Sequence, residues 1–332
     1  MRAAIAEAER AKGSTYPNPP VGAVILNADG DIVGAGGTQP VGGAHAEVMA
    51  LRQAGAAARG GTAVVTLEPC NHHGRTPPCV EALLAAGVSR VIFAVSDPNQ
   101  EAAGGAAALA EAGVDLLGGV LAGAVESGSL REWLHKQRTG RPHVTWKFAG
   151  SIDGRRAAAD GSSQWITGPV ARADVHRRRA ASDAIVVGTG TVFADDPRLT
   201  ARTPEGELAE HQPLRVVVGM REISPDANVL NEDSRTMLIR THDPHEVIRA
   251  LTDRTDVFIE GGATLASAFL RAGLVDRILA YVAPILLGGP NSVVDDVGVA
   301  SISRASKWRF DVIEHVEPDL LLSLVPDQAE QP

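Results

Sequence analysis

Cysteine, aromatic residues and long apolar segments are scarce in this chain of 332 residues. It has two cysteines, and aromatic residues make up 4% of the total. No apolar run reaches the length of about 20 residues that a membrane-spanning helix requires. The acidic residues Glu7 and Glu9 lie where a signal peptide would need an uninterrupted apolar segment. The sequence therefore predicts a cytoplasmic protein that has no membrane as a partner.

Positive charge is in deficit as well. The chain carries 31 Lys and Arg against 40 Asp and Glu, which gives a formal net charge of −9. This balance argues against nonspecific binding to nucleic acid or anionic membranes, and we predict no nucleic-acid partner. Any anionic ligand must therefore meet a local basic site.

The length and the order of the predicted elements indicate an α/β protein with two domains. At roughly 150 residues per domain, the chain accommodates about two domains that each bury a core. Hydrophobic residues make up 44% of the chain and 35 residues are glycine, which is typical of turn-rich α/β proteins. After a first helix, we predict strands at residues 21–26, 31–34, 62–67 and 88–95, the first two joined by a hairpin turn, and helices at residues 44–55 and 79–86.

A polar segment with Gly and Pro, residues 136–142, is the predicted linker. A second α/β series follows it, so we predict domains at residues 1–141 and 142–332. The strands of this series are predicted at residues 144–148, 184–187, 214–218, 236–239, 257–259 and 277–282, and the helices at residues 169–181, 244–252 and 264–272.

One histidine and the two cysteines form a set with the chemistry of a zinc site. His45 opens a predicted helix, Cys70 follows a predicted strand, and Cys79 opens the next helix. One neutral imidazole and two thiolates supply three ligands for Zn²⁺ and leave the fourth tetrahedral position for water, as a catalytic site requires. The positive ends of helix dipoles and the metal lower thiol pKa values, so thiolate is the expected resting form.

Glu47 gives this set its catalytic interpretation. It follows His45 by two positions and therefore projects differently from the ligand, beside the metal-bound water. A carboxylate there can take the water proton and later deliver a proton to a departing amine. The pattern thus predicts hydrolytic deamination, the reaction of the zinc deaminases.

Each of these residues has a plainer interpretation when it is taken alone. A single histidine is most often a satisfied surface or core residue, and a glutamate in a first helical turn is most often a partner of the helix dipole. Two nearby cysteines are more often inert, and a closed structural zinc site is a further alternative. The combination of His45, Glu47, Cys70 and Cys79 favours the catalytic site.

Three segments of the N-terminal part closely resemble the bifunctional riboflavin-biosynthesis deaminase/reductase (RibD) family. They are PNPPVG at residues 17–22, HAE at residues 45–47 and TLEPCNHHGRTPPC at residues 66–79. Eight residues separate the two cysteines, whereas relatives among the cytidine deaminases usually have two. The resemblance implies a cytidine-deaminase-like α/β/α sandwich for this part.

The same resemblance implies how the substrate is bound. The segment between the cysteines looks like the family's loop for a pyrimidine ribose phosphate, in which His72 and Arg75 would contact the substrate. Asn18 would contact the pyrimidine ring, although an Asx turn between two prolines accounts for this residue equally well. Asn71 stands where the family more often has Ser, which leaves the metal ligands intact.

The C-terminal part contains glycine-rich segments at predicted strand ends. EGGATL at residues 260–265 follows a strand and opens a helix, so its backbone N–H groups can approach an anionic phosphate. This suggests nucleotide binding, although the segment is not the dinucleotide fingerprint GxGxxG. The other segments are KFAGSIDG at residues 147–154, SSQWIT at residues 162–167, GTGT at residues 188–191 and ADDP at residues 194–197.

These five segments, in this order, are similar to the RibD reductase domain. The resemblance implies a dihydrofolate-reductase-like α/β fold and NADPH as the cofactor. Carried over by position, the residues that would line the NADPH site are Ala149, Trp165, Thr191, Asp195, Gly262, Ala263, Thr264, Leu265, Ala266, Ser267 and Ala268. Those that would meet the substrate are Ser163, Arg179, Leu199, Arg202 and Glu260. Guanidinium groups bind phosphate bidentately, which suits the two arginines to this task.

Other interpretations stay open for several residues of this part. The three arginines at positions 177–179 also fit a solvated helix face, which we expect for at least two of them. Trp165 fits a core position equally well. Lys147 and Asp195 lie at predicted strand ends and are candidates for positioning the substrate or delivering a proton.

The sequence therefore predicts a zinc- and NADPH-dependent enzyme that acts on a small pyrimidine ribose phosphate and forms a homo-oligomer. The first domain would deaminate 2,5-diamino-6-ribosylamino-4(3H)-pyrimidinone 5′-phosphate, and the second would reduce the ribosyl group of the product to its ribityl form. A nucleoside or tRNA deaminase fused to an unrelated domain is a rival that the cysteine spacing disfavours. A nonenzymatic sensor of zinc and nucleotide is another, which Glu47 disfavours.

Overall fold

The computed structural model describes residues 1–74, 76–99 and 104–327, and the chain divides into two compact units, Met1–Arg141 and Pro142–Pro332. The helices described in the first unit are α1 (Arg2–Ala11), α2 (Ala46–Ala54), α3 (Cys79–Ala86), α4 (Gly105–Glu111), α5 (Ala122–Glu126) and α6 (Arg131–Thr139). Its strands are β1 (Gly22–Leu26), β2 (Ile32–Gly37), β3 (Thr62–Leu67), β4 (Arg90–Val95) and β5 (Asp115–Leu117).

The strands of the first unit form one sheet with helices on both faces. The strand order is β2, β1, β3, β4, β5, in which β1 is antiparallel to β2 and β3 while β3, β4 and β5 run parallel. Val24 and Val64 pack with Ala4 of α1 on one face, and Ala23 and Ile25 join the main core with α2 on the other. The expected α/β/α sandwich is confirmed.

The second unit contains α7 (Pro169–Ala181), α8 (Thr189–Asp195), α9 (Pro244–Ala250) and α10 (Ala263–Arg271). Its strands are β6 (His143–Ser151), β7 (Ala184–Gly188), β8 (Leu214–Val218), β9 (Thr236–Ile239), β10 (Asp256–Ile259), β11 (Arg277–Ala283), β12 (Trp308–Val316) and β13 (Asp319–Pro326). They form one sheet in the order β12, β13, β11, β6, β10, β7, β8, β9. The strands from β11 to β9 in this order are parallel, and the β12–β13 hairpin extends the sheet antiparallel to β11.

Alternate residues of these strands bury two separate cores. Val186 and Val216 face α9 and α10, while Ile185 and Val187 face α7 and α8. This arrangement covers the parallel sheet on both sides, which is why its strands are apolar throughout. The expected α/β fold of the second unit is confirmed as well.

The predicted linker at residues 136–142 is partly wrong. The last helix of the first unit, α6, continues through Thr139 and ends where Gly140 adopts a left-handed conformation, with φ +74°. Glycine adopts this conformation without the steric cost of a Cβ atom, so it commonly ends helices. The nonhelical connection is therefore residues 140–142.

Among the described residues, no helix combines the length and the apolar character that crossing a bilayer demands.

Candidate functional site

Three side chains of metal-ligand type converge in the first unit. Cys70 follows β3, His45 is the residue before α2, and Cys79 is the first residue of α3. Nδ1 of His45 lies 3.3 Å from Sγ of Cys79 and 3.6 Å from Sγ of Cys70. All three ligand atoms lie within 4.8 Å of one another, and no other His, Cys, Asp or Glu in the described part of the chain joins the group.

These distances fit a tetrahedral zinc ion. Zn–N bonds of about 2.0 Å and Zn–S bonds of about 2.3 Å place nitrogen and sulfur ligands about 3.5 Å apart in a tetrahedron. A set of three protein ligands leaves the fourth position for a small molecule, as in catalytic zinc sites. The residues present therefore fit the metal that the sequence predicts.

The two cysteine thiols differ in how readily they ionise. The pKa of Cys70 is lowered to about 4, chiefly because the thiol of Cys79 donates a hydrogen bond to its thiolate. The backbone N–H of Cys79 donates to the same sulfur over 3.4 Å. The pKa of Cys79 is raised by this hydrogen bond and by burial, which both disfavour a second thiolate. A divalent cation is the kind of group that would hold both sulfurs as thiolates.

Thr76 contacts the ring of His45 on the side away from the sulfur atoms. Its Oγ1 lies 3.2 Å from Nε2 of His45, while Nδ1 faces the two cysteines. A ring whose Nε2–H donates to this hydroxyl keeps the lone pair of Nδ1 for a metal. In the sequence Thr76 is simply a member of the loop between the cysteines, so this hydrogen bond could not be predicted.

Glu47 lies beside the three ligands, in the first turn of α2. It is only 4% exposed, and burial followed by the negative charge of Cys70 raises its pKa to about 7. The thiol of Cys79 also lies within reach of this carboxylate and lowers the pKa of Glu47, but by less than burial raises it. A carboxyl group with a pKa near neutrality can both accept and donate a proton in that range. This environment suits the predicted acid–base role.

A cavity of about 370 Å³ reaches this cluster, with His45, Glu47 and Cys70 in its wall. Its volume falls in the range typical of small-molecule sites, about 300–1,000 Å³. Asn18 and His72, two of the predicted substrate residues, also line the cavity. Nδ1 of His72 is buried with no hydrogen-bond partner in the described chain. The third predicted substrate residue of this unit, Arg75, lies outside the described residues.

Two acidic residues of this cavity were not among the predicted site residues. The carboxylate of Glu68 accepts hydrogen bonds from the backbone N–H groups of Asp97 and Ala106, at 3.2 and 3.0 Å. Burial raises the pKa of Asp97, which also lines the cavity. Glu68 therefore holds the loop after β4 against the segment that carries Cys70. The one signal for it in the sequence is its position just before the Pro-Cys pair.

A buried ionic cluster lies on the sheet of the second unit. The carboxylate of Glu260, just after β10, accepts hydrogen bonds from Arg179 at 2.5 and 3.0 Å, and Nζ of Lys147 lies 3.5 Å away. Although burial alone would raise the pKa of Glu260, the positive charges of Arg179 and Lys147 lower it to about 2. Burial lowers the pKa of Lys147, and the Glu260 charge opposes that shift. Two cations thus share one anion.

The expectation that at least two of the arginines at positions 177–179 are solvated is wrong. The side chain of Arg177 is 75% exposed, but those of Arg178 and Arg179 are only 20% and 17% exposed. Arg178 donates to the hydroxyl of Tyr281 at 2.9 Å and to Asp174 at 2.8 Å, and the Tyr281 hydroxyl donates to the same carboxylate. Tyr281 belongs to β11, far from Arg178 in the sequence, so no local sequence pattern predicts that Arg178 is buried.

A second cavity, of about 420 Å³, lies beside the carboxyl ends of β7, β8 and β9. Thr264, Leu265 and Ala268, all predicted NADPH residues, line it. A Cβ atom on Gly262 would lie 3.8 Å from Oγ1 of Thr191, so these two predicted residues lie close together, although neither is in the lining of this cavity.

Residues 263–268 belong to α10, which begins directly after Gly262, one residue before the predicted helix start. The side chains of Ala263, Ala266 and Ser267 are at most 4% exposed and face the interior of the unit. Ala263, Ala266 and Ser267 do not line this cavity, and their contacts with NADPH stay predictions.

Trp165 does not occupy a core position, since it is 70% exposed and the guanidinium carbon of Arg172 lies 4.6 Å from its ring centroid. Asp195, at the end of α8, is exposed too. Ala149 lies on β6, where it pairs with Tyr281 of β11. Their contacts with a cofactor stay predictions.

The remaining predicted substrate residues of the second unit lie in loops. Leu199 is buried with a φ of +53°, and Ser163 is partly exposed. The guanidinium of Arg202 donates to the carbonyl of Gly206 at 2.7 Å. Each of these roles stays a prediction.

The fold and the two sites define a class of protein, a zinc-dependent deaminase joined to a reductase. Residues 1–95 match the cytidine and deoxycytidylate deaminase zinc-binding region, and residues 142–322 match the RibD C-terminal domain. The chain belongs to the RibD family, the bifunctional deaminase/reductases of riboflavin biosynthesis.

Relatives of known name and known structure agree with this assignment. The chain is 66% identical to the riboflavin biosynthesis protein RibD of Mycobacterium tuberculosis over 325 residues, which cover 98% of this chain and 96% of the relative. It is 41% identical to the RibD of Escherichia coli, with 98% of each chain covered. The RibD structure from Acinetobacter baumannii superposes with a TM-score of 0.88 at 38% identity, covering 99% of this chain and 98% of that one. A diaminohydroxyphosphoribosylaminopyrimidine deaminase/5-amino-6-(5-phosphoribosylamino)uracil reductase from Thermotoga maritima gives 0.89 at 30% identity, with 98% and 97% covered.

We predict that Thr76→Val weakens zinc binding by about 10- to 100-fold, because the ring of His45 loses the hydroxyl that orients it. Zinc affinity is measured by competition with a chromophoric chelator. Thr62→Val is the matched control, since Thr62 lies at the start of β3, outside the cavity lining. Equal affinities for the two variants would contradict the orienting role of Thr76.

Proposed function

We propose that the first unit catalyses the hydrolytic deamination of 2,5-diamino-6-ribosylamino-4(3H)-pyrimidinone 5′-phosphate and that its boundaries are those of residues 1–141. The observation that carries this proposal is the position of Glu47, buried in a cavity wall beside a zinc-ligand set of three side chains. A closed structural zinc site would use a fourth protein ligand and would have no need of a buried carboxyl group with a pKa near neutrality.

The residues of this site would divide the work as follows. Zinc, when bound, supplies an activated water molecule. His45, Cys70 and Cys79 would hold the ion. Glu47 would accept a proton at its carboxylate, hold it away from bulk water, and deliver it to the leaving ammonia. Asn18 and His72, which line the same cavity, would bind the pyrimidine ring and the ribose phosphate.

We predict that Glu47→Ala retains zinc but releases no ammonia from the diamino substrate. Proton-transfer groups contribute about 10²–10⁴-fold to rate, so deamination should fall at least that far. Ammonia release is followed by a coupled assay, and zinc content by elemental analysis. The variant should still oxidise NADPH when it receives substrate that is already deaminated.

Glu111→Ala is the control for this experiment, because Glu111 is exposed at the end of α4, away from the cavity lining. It should deaminate normally. Normal deamination by Glu47→Ala would refute the assignment, and loss of zinc from that variant would make Glu47 part of the metal site instead.

For the second unit, residues 142–332, we propose reduction of the deaminated ribosylaminouracil phosphate to its ribitylamino form. NADPH, when bound, supplies the hydride. Reduction of the C1′ double bond of the ring-opened sugar would consume one hydride and one proton in all. The protein must therefore hold the two rings together, exclude water and supply that proton.

Lys147 is the best-placed proton donor among the described residues of this unit. Its side chain is 16% exposed and lies against Glu260, whose pKa of about 2 keeps it charged. Burial lowers the pKa of Lys147, which makes its proton easier to release than that of an exposed lysine. Because Glu260 is fully engaged with Arg179 and Lys147, we propose that it holds these two cations toward the substrate.

We predict that Lys147→Met lowers kcat for NADPH oxidation by about 10²–10⁴-fold, because the reaction loses its proton donor. The deaminase reaction should be unchanged. Absorbance of NADPH at saturating substrate measures the first, and ammonia release the second. Lys307→Met removes an exposed lysine and serves as the control. A rise in KM with unchanged kcat would assign Lys147 to binding and reject proton delivery.

The setting of the enzyme is a further part of this proposal. We expect it to work in the cytoplasm, where thiols stay reduced and can bind metal, and to act on a small molecule with no nucleic-acid partner. A homo-oligomer is supported by the edge strand β12, where Phe310 and Ile313 are 57% and 60% exposed. A monomeric mass in light scattering would contradict the oligomer.

A further inference from the structure

Basic side chains surround the cavity beside β7, β8 and β9, and none of them is among the residues assigned above. Arg221 follows β8, His242 follows β9, and Arg271 ends α10. No Asp or Glu lines this cavity in the described chain. A cavity with this lining favours an anionic group over a hydroxyl or a cation.

Arg221 is held in place without an acidic partner. Its guanidinium carbon lies 4.5 Å from the ring centroid of Phe193. A Cβ atom on Gly190 would come within 3.4 Å of its Nη2, so the side chain extends along the loop that opens α8. No carboxylate within the described ranges forms an ion pair with it, which leaves the charge and the planar set of donors to a ligand.

Helix α10 runs from Gly262, where the cofactor diphosphate is expected, to the basic residue Arg271. Thr264, Ala268 and Arg271 all line the cavity, at positions i, i+4 and i+7 of one helical face. Seven residues of helix span about 10 Å. A dinucleotide with its diphosphate near Gly262 would therefore extend its adenosine half along the helix toward Arg271. The Nη1 of Arg271 donates to the backbone carbonyl of Asp296, which does not neutralise its charge.

We propose that Arg221, together with His242 and Arg271, binds the 2′-phosphate of NADPH and so makes the reductase prefer NADPH to NADH. NADH carries a hydroxyl at this position. Dinucleotide enzymes that prefer NADH place an acidic residue against that hydroxyl, whereas an arginine accommodates the 2′-phosphate. The cavity has three basic residues and no acidic one. This inference rests on the proposed cofactor site of the second unit.

Two pairs of probes test the inference by direct binding. Adenosine 2′,5′-bisphosphate and adenosine 5′-monophosphate differ only in the 2′-phosphate, and their binding to the full chain is measured by calorimetry. NADPH and NADH are compared by nicotinamide fluorescence. Arg221→Ala should weaken the bisphosphate and NADPH by about 10- to 100-fold, the effect of losing a charge-assisted hydrogen bond. The monophosphate and NADH should change by less than about twofold.

Two further variants sharpen the result. Arg221→Lys keeps the charge but loses the planar fork, so its affinity for the bisphosphate should lie between those of wild type and Arg221→Ala. Arg249→Ala is the matched control, because Arg249 is a 65% exposed arginine of the adjacent helix α9 that pairs with Asp243 and Glu246 and does not line the cavity. It should bind all four probes like wild type.

The outcomes separate this inference from the proposed function. If Arg221→Ala weakens the binding of both probes of a pair equally, or of neither, the 2′-phosphate assignment is overturned. Normal NADPH oxidation by the wild-type chain would in that case still support the proposed reductase. A wild-type chain that binds none of the probes and oxidises no NADPH overturns the proposed cofactor site and this inference together. Selective loss of the bisphosphate and NADPH supports the inference.

Discussion

The first site is governed by the crowding of three acidic groups that are largely buried beside one cavity. The pKa of Cys79 is raised chiefly by its hydrogen bond to Cys70 and by burial, and the pKa of Glu47 is raised chiefly by burial and then by the negative charge of Cys70. One divalent cation resolves this conflict for the two sulfurs, since it stabilises both thiolates at once. Glu47 is not one of the three ligands, so its carboxyl group is left for proton exchange. Metal binding and proton transfer are thus two consequences of one electrostatic constraint.

The second site also contains buried charges, and these are balanced by other charged side chains of the protein. Lys147, Glu260 and Arg179 form a buried cluster in which every charged group has a partner at hydrogen-bond distance. Buried ion pairs of this kind contribute little net stability, because desolvation offsets their attraction, but they restrict geometry. Hydride chemistry belongs to a cofactor, so the protein has only to orient the reactants and manage one proton. This explains why the second site shows no ligand spacing in the sequence comparable to that of the first.

Features that depend on residues close together in the sequence were predictable, whereas features that depend on contacts between distant residues were not. Strand Thr62–Leu67 and helices Cys79–Ala86 and Pro169–Ala181 were predicted with the bounds that the structure gives, because local apolar patterns define them. Helix α8 was missed, since the GTGT segment that opens it has the composition of a loop. The contact between Glu260 and Arg179 spans 81 positions, and no local pattern encodes such a pair. The metal ligands were predictable because their residue types are rare in this chain and belong to few chemistries.

A shared topology lets one chain carry two such different sites. In each unit some of the site residues follow the ends of parallel strands: Cys70 comes after β3, Arg221 after β8 and Glu260 after β10. Parallel strands with crossover connections bring these ends to one edge of a sheet, where loops can change without disturbing the packed core. Local charge can therefore be set independently of the total. A chain of net charge −9 can thus present basic groups to anionic ligands at one edge of a sheet, while its acidic surplus lies elsewhere on the molecule.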